Sequence, residues 1–259
     1  LALPPNTITI FKMDENKLNK LRKISGYEAA KFIRNGFVAG LGTGRNARCF
    51  IDALAKRINT ENLNITGVPT SEGSKKYGLE RGIKIKDLND ILNENKKNKI
   101  LDIDVDGADQ VAGDFSLIKG YGGALTREKV TAKTAKKFIC VVDETKISET
   151  RNLNNPVPVE VIPFAMNYVK LELEEKYDII CDIMKKKDKD EIFITDNGNF
   201  IILADFGEIS NPEELEDELN LISGVVENGI FAKRKPDIVI VGRKNGVEIL
   251  KRGQEIKND

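Results

Sequence analysis

The sequence predicts an α/β protein in which a parallel sheet is followed by a smaller α+β unit. Two patterns carry that reading. In the first part, short apolar runs alternate with segments of helical period, the order that βαβ units produce. After Pro156 the order changes, and an Asn-Gly pair between two apolar runs signals an antiparallel hairpin. The length, 259 residues with 40% hydrophobic and 32% charged, suits one or two folded domains.

The elements follow in order. Residues 17–35 read as a helix with Leu18, Leu21, Ile24 and Phe32 on its apolar positions, and 37–41 as a strand entering the turn Gly42-Thr43-Gly44. Residues 46–58 form the next helix, with Phe50, Ile51, Leu54 and Ile58 on one face. A strand at 64–70 and a short helix at 74–81 come next. Residues 100–105 alternate as a strand, 126–137 are helical, and 138–143 are again strand. Pro156, Pro158 and Pro163 suggest a hinge between units. Beyond them come a helix at 165–177, a solvated Lys/Asp tract at 185–190, and strands at 191–195 and 200–206 joined by Asp196-Asn197-Gly198-Asn199. Asn211-Pro212-Glu213-Glu214 opens a helix with an N-cap, a first-turn proline and a following glutamate. The run 237–242 is a buried-type strand able to rejoin the first sheet.

Composition narrows the chemistry. Lys plus Arg and Asp plus Glu both number 41, so the formal charge is zero and bulk electrostatics give no nucleic-acid binder. There is no histidine, which excludes His bases, Ser-His-Asp triads and His-ligated metals. Cys49, Cys140 and Cys181 are isolated among apolar neighbours and read as inert core thiols. No apolar run is long enough to span a membrane. Residues 1–13 carry two prolines and no basic n-region, so no signal peptide and a cytoplasmic location are expected.

Three segments carry candidate chemistry. Gly40-Leu41-Gly42-Thr43-Gly44-Arg45-Asn46 joins a strand to a helix, where glycine backbone and helix N–H groups suit an anion and Arg45 adds a fork for phosphate. It lacks the Gly-Lys-Ser/Thr of a Walker loop and the third glycine of a dinucleotide fingerprint, and an ordinary βα turn would also read this way. Asp102, Asp104, Asp106 and Asp109 form the second. Asp106 and Asp109 fall beyond the strand's carboxyl end and suit acid/base or hydroxyl binding, divalent-metal ligation, or turn chemistry. In the third, 117–129, Lys119 meets a Gly-rich turn able to stabilise an oxyanion, and Glu128 follows near a helix start, either as a proton carrier or as a surface residue paired with lysine.

Together these segments resemble the ribose-5-phosphate isomerase A family, archaeal members especially. The resemblance runs through 40–44, Gly67-Val68-Pro69-Thr70-Ser71, Asp106-Gly107-Ala108-Asp109, 117–129, Val159-Glu160-Val161-Ile162-Pro163, 195–199 and 224–231, spanning about residues 20 to 250. It implies interconversion of ribose 5-phosphate and ribulose 5-phosphate through an enediol(ate), without metal or organic cofactor. It places the general base on Glu128, ring opening on Asp106, hydroxyl orientation on Asp109 and carbonyl polarisation on Lys119. It puts substrate contacts on Thr43, Gly44, Arg45 and Asn46, on Gly107 and Ala108, on Gly120, Tyr121 and Gly122, and on Lys146, with Arg22 or Lys23 reaching the phosphate. The implied fold is a Rossmann-like domain at 1–156, completed by 234–259, with a small α+β domain at 157–233. The implied assembly is a homodimer or homotetramer, with no nucleic-acid or membrane partner. A sugar-phosphate sensor, or an isomerase of a related sugar phosphate, is the alternative on the same fold. The chain departs from the family pattern at Arg45-Asn46, where Ser-Thr is usual, at Tyr121, where glycine is common, and at Gln110, where glutamate is frequent.

Overall fold

The computed structural model describes residues 14–95 and 100–253; the expectation for residues 1–13 lies outside them. The chain begins with α1 (Glu15–Ala30), β1 (Val38–Leu41), α2 (Arg45–Glu61), β2 (Thr66–Pro69), α3 (Glu72–Glu80), β3 (Lys84–Ile85) and α4 (Leu88–Asn95). It continues through β4 (Ile103–Asp106), β5 (Gln110–Val111), β6 (Leu117–Ile118), α5 (Leu125–Thr134) and β7 (Phe138–Asp143). Then come β8 (Val157–Val161), α6 (Met166–Tyr177), β9 (Ile180–Ile183), β10 (Phe200–Asp205), α7 (Pro212–Asn220), β11 (Val225–Asn228), β12 (Ile230–Phe231), β13 (Ile238–Arg243) and β14 (Gly246–Lys251).

The main sheet runs β14-β13-β7-β4-β1-β2-β3, parallel throughout except for the β13–β14 hairpin. The alternation along its strands explains how both faces are covered. Ile139 and Val141 of β7 face one way, with Ala39, Leu41, Ile103 and Val105, and pack on Phe50, Ile51 and Leu54 of α2. Phe138, Cys140 and Val142 face the other way, toward Ala132 of α5 and Phe231. The run after residue 236 does rejoin this sheet, as β13 beside β7. From β1 the chain moves outward to β2 and β3, then returns to β4 on β1's other side. That reversal between β1 and β4 opens a crevice at the strands' carboxyl ends, where open α/β sheets bind ligands.

A second sheet, β11-β8-β10-β9, is antiparallel and packs its apolar face on Val169 and Leu173 of α6 and Leu219 of α7. A third, β12-β6-β5, lies between the two. Part of the proline-rich stretch is built into the second sheet. Residues Val157–Val161 are fully buried as strand β8. Pro158 sits beyond Val159, the last β8 residue in register with β11, where a missing N–H costs that ladder nothing.

Two expectations change. The first helix stops at Ala30, because Phe32 and Ile33 donate to the carbonyls of Ala29 and Ala30 in tighter turns leading to Gly36. The hairpin at 191–206 does not form: β10 pairs with β9 and β8, while residues 191–193 turn back on the continuation of β9, Ile192 bridging Lys185. The turn itself is present, with Thr195 N–H bonded to Asn199 O at 2.9 Å. What diverts it is the buried Glu160 carboxylate. Glu160 Oε1 accepts from the Thr195 hydroxyl (2.9 Å), Asn197 Nδ2 (3.1 Å) and Asn199 Nδ2 (2.9 Å). The preceding Phe193 places its ring over Gly123 while its N–H bonds Met184 O at 2.9 Å, on the β9 side rather than along β10. Asn211 stands at the N-cap of α7 but makes no capping bond there; its Nδ2 donates to Glu214 instead.

Candidate active site

Three neighbouring strands, β7, β4 and β1, end at one cleft of about 260 Å³. After β1 the turn must pass close to β4: a Cβ on Gly42 would lie 2.2 Å from Asp106 Oδ1. Gly44, at φ +104°, then starts α2 with no side-chain cap, so the first helix N–H groups face the cleft mouth. Thr43, Gly44, Arg45 and Asn46 all line the cleft. Asn46 is buried, and its Nδ2 has no hydrogen-bond partner among the described residues. A buried, unpaired donor beside a helix N-terminus suits the binding of an anion. The Thr43 hydroxyl is committed internally, to Thr70 Oγ1 at 2.8 Å and Ser71 Oγ at 2.7 Å. The segment 67–71 therefore braces this turn.

The Asp106–Asp109 turn divides into a buried and an open acid. Gly107, Ala108 and Asp109 line the cleft, but Asp106 does not and is fully buried beneath it. Asp106 Oδ1 accepts N–H bonds from Thr43 (2.9 Å) and Gly107 (2.7 Å), and Oδ2 lies 3.2 Å from Lys119 Nζ. Asp106 thus lies beneath the cleft wall, beside the Thr43 and Gly107 N–H groups and the Lys119 ammonium. Asp109 Oδ2 accepts the Tyr121 N–H at 2.9 Å.

Lys119 extends from the turn after β6 and is 2% exposed. Its ammonium meets Asp106, the Gly107 carbonyl, and Glu128 Oε2 at 3.3 Å. Burial works against the charge, yet Asp106 and Glu128 outweigh it and hold the lysine protonated well above its ordinary range. Glu128, 5% exposed, lies in the first turn of α5 and lines the cleft. Burial and the neighbouring Asp106 push its carboxyl well above the ordinary glutamate range, while Lys119 opposes them. A carboxylate so raised binds a proton more strongly than an ordinary glutamate, which is what a general base needs. The Gly-rich turn offers fewer free amides than its sequence suggests, since Tyr121 N–H goes to Asp109 and Gly123 N–H to Gly120 O. Tyr121, like Gly120 and Gly122, lines the cleft, and its hydroxyl donates to Pro156 O at 2.9 Å across the mouth.

Lys146 reaches the cleft from the short helical turn after β7. Of the two basic candidates on α1, Arg22 lines the cleft, whereas Lys23 lies exposed and outside its lining. Arg22 is buried, with Nε 3.3 Å from Asp143 Oδ2. Asp143 escaped the sequence reading, though its place at the end of a wholly apolar strand could have marked it. Glu15 also escaped it: its Oε1 lies 2.6 Å from Arg22 Nη1 and 2.9 Å from Arg45 Nη1. Nothing local in the sequence signals that contact. The three thiols fit inert packing, with burial pushing Cys140 up to about 12 and Cys181 up to about 11. Among the described residues no group of three or more acids and cysteines gathers as a metal site would need, and no helix is long and apolar enough to cross a membrane.

Residues 66–246 match the family model for ribose 5-phosphate isomerase A (phosphoriboisomerase A). The ribose-5-phosphate isomerase A of Methanococcus aeolicus is 45% identical over 226 residues, covering 87% of this chain and 92% of that protein. That of Thermococcus kodakarensis is 42% identical over 91% of this chain and 99% of its own. A structure of D-ribose-5-phosphate isomerase in complex with phospho-erythronic acid superposes with a TM-score of 0.83 at 42% identity, covering 91% of this chain and 99% of its own. The enzyme from Plasmodium falciparum, at 27% identity, gives a TM-score of 0.82 over 91% of this chain and 100% of its own.

Proposed function

We propose that this chain, which belongs to the ribose-5-phosphate isomerase A family, uses Glu128 to move the proton and Lys119 to hold the charge in its reaction. The family fixes the reaction: the chain interconverts D-ribose 5-phosphate and D-ribulose 5-phosphate, a step of the pentose phosphate pathway. The observation that carries the assignment is the buried Lys119–Glu128 contact of 3.3 Å, on the wall of a cleft whose mouth is the β1–α2 turn.

With the substrate phosphate at Gly44–Asn46, the open-chain sugar extends toward Glu128. Glu128 takes the proton from C2 of the aldose. The freed electron pair forms C1=C2, and the carbonyl π pair moves onto O1. Lys119 donates to that oxyanion. As Glu128 becomes neutral its hold on Lys119 weakens, so the ammonium is released to the oxygen when charge develops there. Glu128 then returns the proton to C1. O2 gives up the proton that O1 gains, and the ketose forms with no net proton change. Asp106, beneath, keeps Lys119 charged and aimed. Asp109, the open acid, takes the sugar hydroxyls and assists ring opening. Gly107, Ala108, Gly120, Tyr121, Gly122 and Lys146 complete the walls.

The same reading needs no metal or organic cofactor, because Lys119 supplies the electrophile. It treats residues 1–156 with 234–259 as the catalytic unit and 157–233 as the smaller one. It places the enzyme in the cytoplasm as a homodimer or homotetramer; the exposed side chains of Phe164, Tyr168 and Leu171 are consistent with assembly, and light scattering would determine it. The test of function is ribulose 5-phosphate formation from ribose 5-phosphate in excess EDTA, with phospho-erythronic acid as a competitor. Full turnover, competitively inhibited, is expected. Activity that needs Mg²⁺ or Mn²⁺ would remove Lys119 from this role.

A further inference from the structure

The arginines at the phosphate turn are already engaged by an anion of the protein itself. Glu15, the first residue of α1, lies beside the cleft mouth with its carboxylate 56% exposed. One oxygen, Oε1, receives Nη1 of buried Arg22 at 2.6 Å and Nη1 of exposed Arg45 at 2.9 Å. Arg22 Nη1 also donates to Asn19 Oδ1 at 2.9 Å, and its Nε faces Asp143. Both arginines, and the unpartnered Asn46 amide, line the cleft. A carboxylate oxygen that joins two guanidinium groups from separate helices makes the contact a phosphate oxygen would make.

The two arginines hold the Glu15 carboxyl below its ordinary range, the Arg22 hydrogen bond foremost, so Glu15 is anionic at neutral pH, where the substrate phosphate is also charged. Phosphate entering the turn therefore meets like charge, and Arg45, two-thirds exposed and able to swing, is the donor for which both anions compete. We propose that Glu15 is an intramolecular competitor for the phosphomonoester group, and that it sets the affinity of the cleft by occupying Arg45 and Arg22 until the substrate displaces it. This rests on the reading of Gly44–Asn46 as the phosphate site. It assigns to Glu15 an effect on binding and none on the proton transfer at Glu128.

The test compares wild type with Glu15→Gln and Glu15→Ala, measuring kcat, KM for ribose 5-phosphate and the inhibition constant of inorganic phosphate. A melting curve checks that both variants fold. If Glu15 competes, KM and the phosphate inhibition constant both fall by about two- to fivefold, the size an exposed ion pair carries, while kcat holds. The gain shrinks at high salt, which screens the competing charge. A rise in KM in either variant would mean that Glu15 presents the arginines to the substrate, and would overturn the proposal. Unchanged constants, with phosphate still competitive, overturn it while leaving the phosphate site in place. If inorganic phosphate does not compete in wild type, the phosphate site itself is misassigned and the proposal falls with it.

Discussion

Lys119 Nζ lies 3.3 Å from Glu128 Oε2, and neither side chain is more than 6% exposed. The two groups come from different elements, the turn after β6 and the first turn of α5, and Asp106 supports the lysine from the other side at 3.2 Å. Three acids, Asp104, Asp106 and Glu128, thus share one buried neighbourhood with a single ammonium, and burial raises all three. That imbalance raises the proton affinity of the acids, the direction that the proposed role of Glu128 as base requires.

Glu128→Gln keeps the shape of the side chain and removes its basicity. Turnover should fall by a factor on the order of 10² to 10⁴, with KM within a few-fold. Steady-state kinetics in both directions checks this. A variant with most of its activity would relocate the base, and Asp109, the acid open to the cleft, would be the next suspect.

Asp104 predicts a pH dependence of stability. Its carboxyl is fully buried, neither oxygen has a hydrogen-bond partner among the described residues, and burial raises it well above the ordinary aspartate range. The folded chain therefore keeps this proton after the unfolded chain has lost it. Stability falls as pH rises from the ordinary aspartate value toward the raised folded value, by about 1.4 kcal/mol per unit of upward shift. Asp106 and Glu128 shift in the same direction, so Asp104→Asn should remove part of the decline. Melting temperatures from pH 5 to 9 should slope less steeply in the variant. Parallel slopes would show that Asp104 ionises normally in the fold.

Much of this site was legible in the sequence because its pieces are local. A short apolar run, glycines and a helix start mark the β1–α2 turn, and Ile103, Asp104, Val105 and Asp106 alternate visibly as β4. Asp106 and Asp109 share one turn, and only the folded positions of Thr43, Gly107 and Lys119 decide which is covered. The contact of Glu15 with Arg45 spans 30 positions and belongs to no motif. The hairpin failed for a similar reason. Asn197-Gly198 specifies a turn, but four donors converging on one distant carboxylate decide where that turn is held, and β9 takes the place of the strand at 191–195.

Glu160 gives the corresponding prediction. It joins the Thr195–Asn199 turn to Thr126 at the start of α5, the helix that carries Glu128. Glu160→Ala would leave several buried donors unpaired, at about 1–3 kcal/mol for each one that water cannot reach. The variant should lose about 3 kcal/mol or more by chemical denaturation, and kcat should fall more than KM changes, since α5 loses its anchor. A loss under about 1 kcal/mol would show that water replaces the carboxylate.

Arg45→Ala tests the turn where this chain departs from its family. Arg45 lines the cleft with a 65% exposed side chain, and its guanidinium already holds Glu15. A charge-assisted bond to phosphate is worth roughly 1.5–3 kcal/mol, but exposure and the competing carboxylate both reduce what the substrate gains from it. KM should therefore rise by only about three- to tenfold, with kcat nearly unchanged. The two charges are coupled, so their effects should not add. In the Glu15→Gln background Arg45 is free for the phosphate from the outset, and its removal should raise KM by a larger factor than in wild type. Double-mutant kinetics at low salt measures this. Equal factors in the two backgrounds would uncouple the pair. An unchanged KM in both would assign Arg45 to the surface and leave the phosphate to Arg22, Asn46 and the helix N–H groups.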